Sequence, residues 1–86
     1  RESIILEMEF ESNNAAMNAQ KALNKFEIKI NSLNNHLLIS DATIFDKLPD
    51  ILKTLKENSL KVCEIKLREH SLEDIFINLT GRRLRE

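Results

Sequence analysis

Glycine and proline are nearly missing from this chain, with one of each in 86 residues. A phosphate-cradling loop needs several glycines, so neither a Walker-type sequence nor a dinucleotide fingerprint can be written with Gly81 alone. The same scarcity leaves no flexible linker and no low-complexity segment. Tyrosine and tryptophan are absent and Phe10 belongs to the inward set of its strand, which argues against the exposed aromatic platforms that RNA-binding sheets use to stack bases. Cys63 is the single cysteine, so an internal disulfide is excluded and a reducing compartment suits the chain. No apolar run approaches the ~20 residues that a membrane helix needs, and no signal peptide is visible. Charge is balanced at a net of −1, which gives no attraction to nucleic acid or to an anionic membrane surface.

What remains is one small domain. The first residue is Arg1 and not Met, and we expect the chain to be excised from a longer one. Residues 4 to 10 alternate, with Ile4, Leu6, Met8 and Phe10 on one face and Ile5, Glu7 and Glu9 on the other. This is the signature of a half-buried strand. Ser12 or Asn13 then caps a helix carrying Ala16, Ala19, Leu23 and Phe26 at helical spacing. Glu27–Ile30 and His36–Ser40 read as a hairpin, with Asn31–Asn35 as a loop of several residues.

A second helix is expected from Asp46-Lys47-Leu48-Pro49, with proline in its first turn, preceded by a turn over residues 41–45. Leu48, Ile51, Leu52 and Leu55 form its stripe, and Asn58 is its left-handed stop. Val62 to Arg68 alternates again, with Cys63, Ile65 and Leu67 inward and Glu64, Lys66 and Arg68 outward.

A final helix has both ends marked. Ser71 and Asp74 make a capping-box pattern, and Leu72, Ile75, Phe76 and Leu79 make one apolar stripe that anchors it. Gly81 is a helix stop, followed by Arg82, Arg83 and Arg85 near the negative end.

The order β-α-β-β-α-β-α predicts an α+β fold of ferredoxin-like βαββαβ type, in strand order 4-1-3-2 with two helices on one face. Glu7 and Glu9 would then face Lys66 and Arg68 across a ladder. Ile5, Leu38 and Val62 point to the other face, where the terminal helix is the nearest cover.

Chemistry is sparse. His36 reads as a strand residue, His70 as a loop residue and Cys63 as a small core hydrophobe, so no catalytic, cofactor or metal site is expected. Glu7, Glu9 and Glu11 read as a solvated strand face and not as a catalytic carboxylate set.

One resemblance carries a functional expectation. Ser71-Leu72-Glu73-Asp74-Ile75-Phe76, three residues, then Thr80-Gly81-Arg82 resembles the signature that closes the ATP-binding subunits of daunorubicin-resistance-type drug-export ABC transporters. Leu48-Pro49-Asp50-Ile51-Leu52-Lys53-Thr54-Leu55 is similar to the Leu-Pro-x-Leu-Leu-x-x-Leu helix of the same accessory domain. The family usually has glycine after that helix, where this chain has Asn58.

The resemblance implies a contact or regulatory domain of a cytoplasmic subunit, peripheral to the cell membrane through its complex. Its partners would be the ATPase core of the same chain, a second copy of the subunit and a membrane-spanning permease. ATP and Mg would belong to that core and not to these residues. The competing expectation is a small-molecule-sensing regulatory domain of the same topology; an enzyme in its own right ranks behind both.

Overall fold

The computed structural model describes residues 4–80, apart from the side chains of Glu73, Asn78 and Thr80. Gly81, Arg82, Arg83 and Arg85, the expected helix stop and basic cluster, lie outside the described residues. The fold is mixed α+β, built on a four-stranded antiparallel sheet. Strand β1 (Ile4–Phe10) leads to α1 (Asn13–Ala22) and a turn of 3₁₀ helix at Leu23–Lys25. Strands β2 (Lys29–Leu33) and β3 (His36–Ser40) form a hairpin, followed by α2 (Ile44–Glu57), β4 (Val62–Glu69) and α3 (Leu72–Thr80). The sheet order is β2-β3-β1-β4, which read from the other edge is 4-1-3-2.

The period-two pattern of β1 is the organising signal. Leu6, Met8 and Phe10 point into the main core and meet Leu37 and Ile39 of β3. Ala16, Ala19 and Leu23 close over them from the α1 side, and Ile44, Ile51 and Leu55 from α2. The alanines leave room for the α1 axis to lie near the strands. Ser12 caps α1, its Oγ accepting from the Ala15 amide at 3.0 Å. Ile5, Leu33 and Leu38 form a second, smaller cluster on the opposite face with Ile77 of α3. The two faces of the sheet therefore carry α1 and α2 on one side and α3 on the other. Among the described residues no helix is long and apolar enough to cross a membrane.

Several local expectations need correction. The hairpin has a two-residue turn, Asn34-Asn35, because β2 runs on to Leu33, which buries against the second cluster. Asn34 takes φ 55°, a conformation asparagine tolerates. Asn35 locks the turn to β1: its carbonyl accepts from the Phe10 amide and its Nδ2 donates to the Phe10 carbonyl, both at 2.8 Å.

Helix α2 starts earlier than expected, because Asp41 organises the turn before it. Its Oδ1 accepts from the amide and hydroxyl of Thr43, each at 2.7 Å, and Lys47 Nζ donates to Oδ2 at 3.0 Å. The Thr43 hydrogen bonds, helped by Lys47, bring the Asp41 carboxyl down to about 2. Pro49 consequently lies inside α2, beyond its first turn, and removes a bond that the Phe45 carbonyl would otherwise accept.

The helix stop is also one residue later than expected. Asn58 has φ −98°, and Ser59, at φ 59°, takes the left-handed position. Ser59 N donates to Lys56 O at 3.0 Å and Leu60 N to Leu55 O at 2.9 Å. That pair of bonds is a Schellman closure, and it needs the turn to come after Asn58. Asn58 contributes as a side chain, its Nδ2 donating to the Thr54 carbonyl at 2.8 Å.

Strand β4 departs most from its pattern. Its register against β1 shifts between Glu9 and Phe10, so that Phe10 faces Val62 and Glu9 faces Glu64. Cys63 becomes the extra residue and is exposed, not a core residue. The shift turns Val62 toward the main core, not to the opposite face. Ile65 and Leu67 lie opposite Met8 and Leu6, on the inward face as expected. They nevertheless stay 41% and 44% exposed, because α1 lies over β1, β2 and β3 and not over this edge.

A non-glycine residue in the left-handed region costs about 1–2 kcal/mol, and glycine regains part of that against its greater unfolded-state freedom. Ser59→Gly should therefore raise stability by up to ~1 kcal/mol, whereas Asn58→Gly should lower it. Urea unfolding of both variants checks the assignment.

Candidate functional site: an ion-paired clasp beneath the terminal helix

The polar residues that converge in this fold do so under α3. Glu7 points from β1 to the second face, directly opposite Leu38 of β3 and Lys66 of β4. It is reached instead by the diagonal neighbours two residues along each ladder, His36 and Arg68, a span long side chains can bridge. His36 Nδ1 lies 2.7 Å from Glu7 Oε2, and Arg68 Nε donates to Oε1 at 2.9 Å. The far side of the same guanidinium grips Asp74 of α3 with both arms, at 2.7 Å to Oδ2 and 2.6 Å to Oδ1. This fork-to-carboxylate geometry is the strong form of the interaction.

Asp74 has a second duty. Its Oδ2 accepts from the Ser71 amide at 2.8 Å and from the Ser71 hydroxyl at 3.2 Å, while the Asp74 amide donates back to Ser71 Oγ at 3.4 Å. The capping box that opens α3 is thus also the point at which α3 is pinned to the sheet. Nearby, the His70 ring and the Ser40 hydroxyl share a hydrogen bond at 3.1 Å between the β4–α3 loop and β3.

Electrostatics follow from this geometry. Burial works to raise the pKa of Glu7, but the hydrogen bond and charge of Arg68, joined by His36, outweigh it and hold the carboxyl below its ordinary value. Asp74 shows the same balance: burial raises, Arg68 and Ser71 lower, and the net direction is down. The hydrogen bonding of Arg68 to Asp74 leads the effects that push the Arg68 pKa up, against burial. All three groups are therefore ionised at neutral pH. Glu7 is a buried structural anion and not the solvated residue its strand pattern suggests.

The clasp sets the rotation of α3, and this overturns the expected anchor stripe. With Asp74 turned to Arg68, the residue one turn on, Ile77, drops into the Ile5–Leu33–Leu38 cluster; Asp74 and Ile77 are each only 3% exposed. Leu72, Ile75 and Leu79 turn outward, at 76%, 50% and 79% exposure, and Phe76 is half-buried. Of the motif residues, Ser71 and Asp74 come together; the side chains of Glu73 and Thr80, with Gly81 and Arg82, lie outside the described residues.

The arrangement holds an element in place. The dimple over Glu7, Glu9, His36, Glu64 and Lys66 has essentially no enclosed volume. Among the described residues no group of three His, Cys, Asp or Glu side chains is placed to hold a metal ion. A groove of about 410 Å³ lies elsewhere, between Leu52 and Leu55 of α2 and Leu60 and Val62 before and at the start of β4. The sequence pattern sets Glu7 and Glu9 against Lys66 and Arg68; Lys66 does lie opposite Glu7 and Arg68 does reach it, but Glu9 faces Glu64, and the His36 partner is not legible in the pattern. No known protein family, no curated protein and no solved structure matches this chain.

Two predictions follow from the clasp. Ile77→Ala should weaken α3 docking by about 2–5 kcal/mol, whereas Leu79→Ala should change it by less than ~0.5 kcal/mol; native-state hydrogen exchange of the α3 amides distinguishes them. Acid should also release α3. Carboxyls with lowered folded pKa values add stability that is complete above their unfolded values, about 4, and fades as pH falls through the folded ones. Arg68→Met, which leaves two carboxylates without their cation, should cost about 1–3 kcal/mol at neutral pH and flatten that acid dependence in a pH series of denaturation curves.

Proposed function

We propose that this chain is the C-terminal accessory domain of the ATP-binding subunit of a drug-export ABC transporter of the daunorubicin-resistance type. In this reading the fold is ferredoxin-like, and the domain is a catalytically silent contact and regulatory module. The observation that carries the reading is the split of the described motif residues between Ser71 and Leu79 into two jobs. Ser71 and Asp74 fasten α3 to the sheet through Arg68, while Leu72, Ile75 and Leu79 present an outward apolar stripe. A stripe of large aliphatic side chains held outward by a rigid ionic clasp suits contact with a neighbouring protein surface. The neighbour is the ATPase core of the same subunit, which holds ATP and Mg and works with a membrane-spanning permease. The domain supports assembly or couples hydrolysis to export by biasing the core between states.

A second reading has one observation in its favour. The groove between α2 and β4 combines apolar walls with Lys56, Ser59 and Lys61 at its rim, a composition that suits a small acidic effector. A metabolite thermal-shift screen separates the readings: a specific stabilising ligand promotes the sensing module.

Under the transporter reading, the 86-residue chain neither binds nor turns over Mg-ATP in titration calorimetry and phosphate-release assays. Ile75→Ser with Leu79→Ser should leave its circular dichroism unchanged yet abolish coupling of ATP hydrolysis to export in the parent subunit. A natural reading frame without an ATP-binding core ahead of this domain would overturn the proposal.

A further inference from the structure

Strand β4 ends the sheet, with β1 on one side and, among the described residues, nothing paired on the other. An open edge of eight residues is a template for another strand, and native chains usually blunt such edges with inward charges, proline or very short strands. Here the regular stretch carries Ile65 and Leu67 on one face, both over two-fifths exposed, and Glu64, Lys66 and Arg68 on the other. Neither Glu64 nor Lys66 forms an ion pair among the described residues. Glu64 faces Glu9, a like charge, and Lys66 faces Glu7, whose carboxylate is already held by His36 and Arg68.

We propose that β4 pairs antiparallel with β4 of a second copy of this chain about a two-fold axis at Ile65, joining two sheets into one. In that register Ile65 meets the partner's Ile65, and the exposed Leu67 comes against the partner's exposed Cys63. Glu64 meets the partner's Lys66, and Lys66 the partner's Glu64, which supplies the cation that the Glu9–Glu64 contact lacks. The alternatives are poorer. An axis at Lys66 sets lysine against lysine and asks for an Arg68 already committed to Glu7 and Asp74; an axis at Glu64 adds another glutamate to the Glu9–Glu64 pair. The other edge, β2, offers no such match, since pairing about Asn31 sets Lys29 against the partner's Leu33 and Ile30 against the partner's Ser32.

Helix α2 adds to the interface. Leu52 lies on its β4 side, where it lines the groove with Leu60 and Val62, and Phe45, two turns earlier on the same helical face, is also exposed. In the paired state two such helices flank the joined strands on the side of Ile65 and Leu67, and cover apolar surface that one copy leaves open. The inference rests on β4 and not on the transporter reading, so either can fail alone.

Sedimentation of the full chain over a concentration series into the high micromolar range should show a monomer–dimer equilibrium. Lys66→Glu should weaken it by about tenfold or more, since two attractive pairs become repulsive. Glu64→Lys combined with Lys66→Glu should restore it, because the swapped strand is again self-complementary. In a Cys63→Ser background, Ile65→Cys should form a disulfide dimer on mild oxidation and Lys66→Cys should not. A monomer at every concentration, a swap that restores nothing, or cross-linking at position 66 in place of 65 would overturn the pairing.

Discussion

The guanidinium of Arg68 is the part on which the remaining architecture of the second face depends. It stands between two carboxylates that arrive from opposite ends of the chain, Glu7 from β1 and Asp74 from α3. Both acids depend on a cation at their depth, since a buried charge that loses its counter-ion is costly. The geometry therefore specifies more than it stabilises. A short helix with aliphatic residues on several sides has competing ways to lie on a sheet, and the two-armed grip on Asp74 selects the one that buries Ile77. Replacing the trio with apolar residues of similar volume need not weaken the fold, but it would remove the reason α3 lies at this rotation.

Much of the fold is legible because it rests on short-range periodicity. The alternation in β1, the alanine spacing in α1 and the capping residues Ser12 and Ser71 each report a local rule that the tertiary structure has no reason to break. The departures share a cause, which is that a distant partner decides. Asp41 pulls the start of α2 forward by capturing Thr43 and Lys47. The Schellman bonds place the left-handed turn at Ser59, although asparagine has the better intrinsic preference for it. The bulge opposite Glu9 turns Val62 inward and leaves Cys63 as the extra residue, and nothing in a Val-Cys-Glu run announces an extra residue.

The candidate site was legible only in part. Ser-x-x-Asp at the head of an apolar run is a readable helix start, and it holds. Which side of that helix faces the sheet depends on Arg68, and the diagonal reach from Arg68 to Glu7 exists only once the register of β1 against β4 is fixed. An apolar stripe is ordinarily the buried side of a helix; here two aliphatic faces were available, and an ion pair chose the smaller. The polar content of the second face is for this reason a better guide than its hydrophobic content.

Strand β1 has a consequence for how the chain acquires its shape. It comes first in sequence yet is the middle of the sheet, and both of its neighbours, β3 and β4, are made later. The local hairpin of β2 and β3 can close early, with its tip tied by Asn35 to the end of β1. The β1–β4 ladder has to close a loop that encompasses almost everything between, and such contacts are the slowest to form. On a ribosome, β1 emerges well before β4 exists, and one of its hydrogen-bonding edges waits open until the last strand appears.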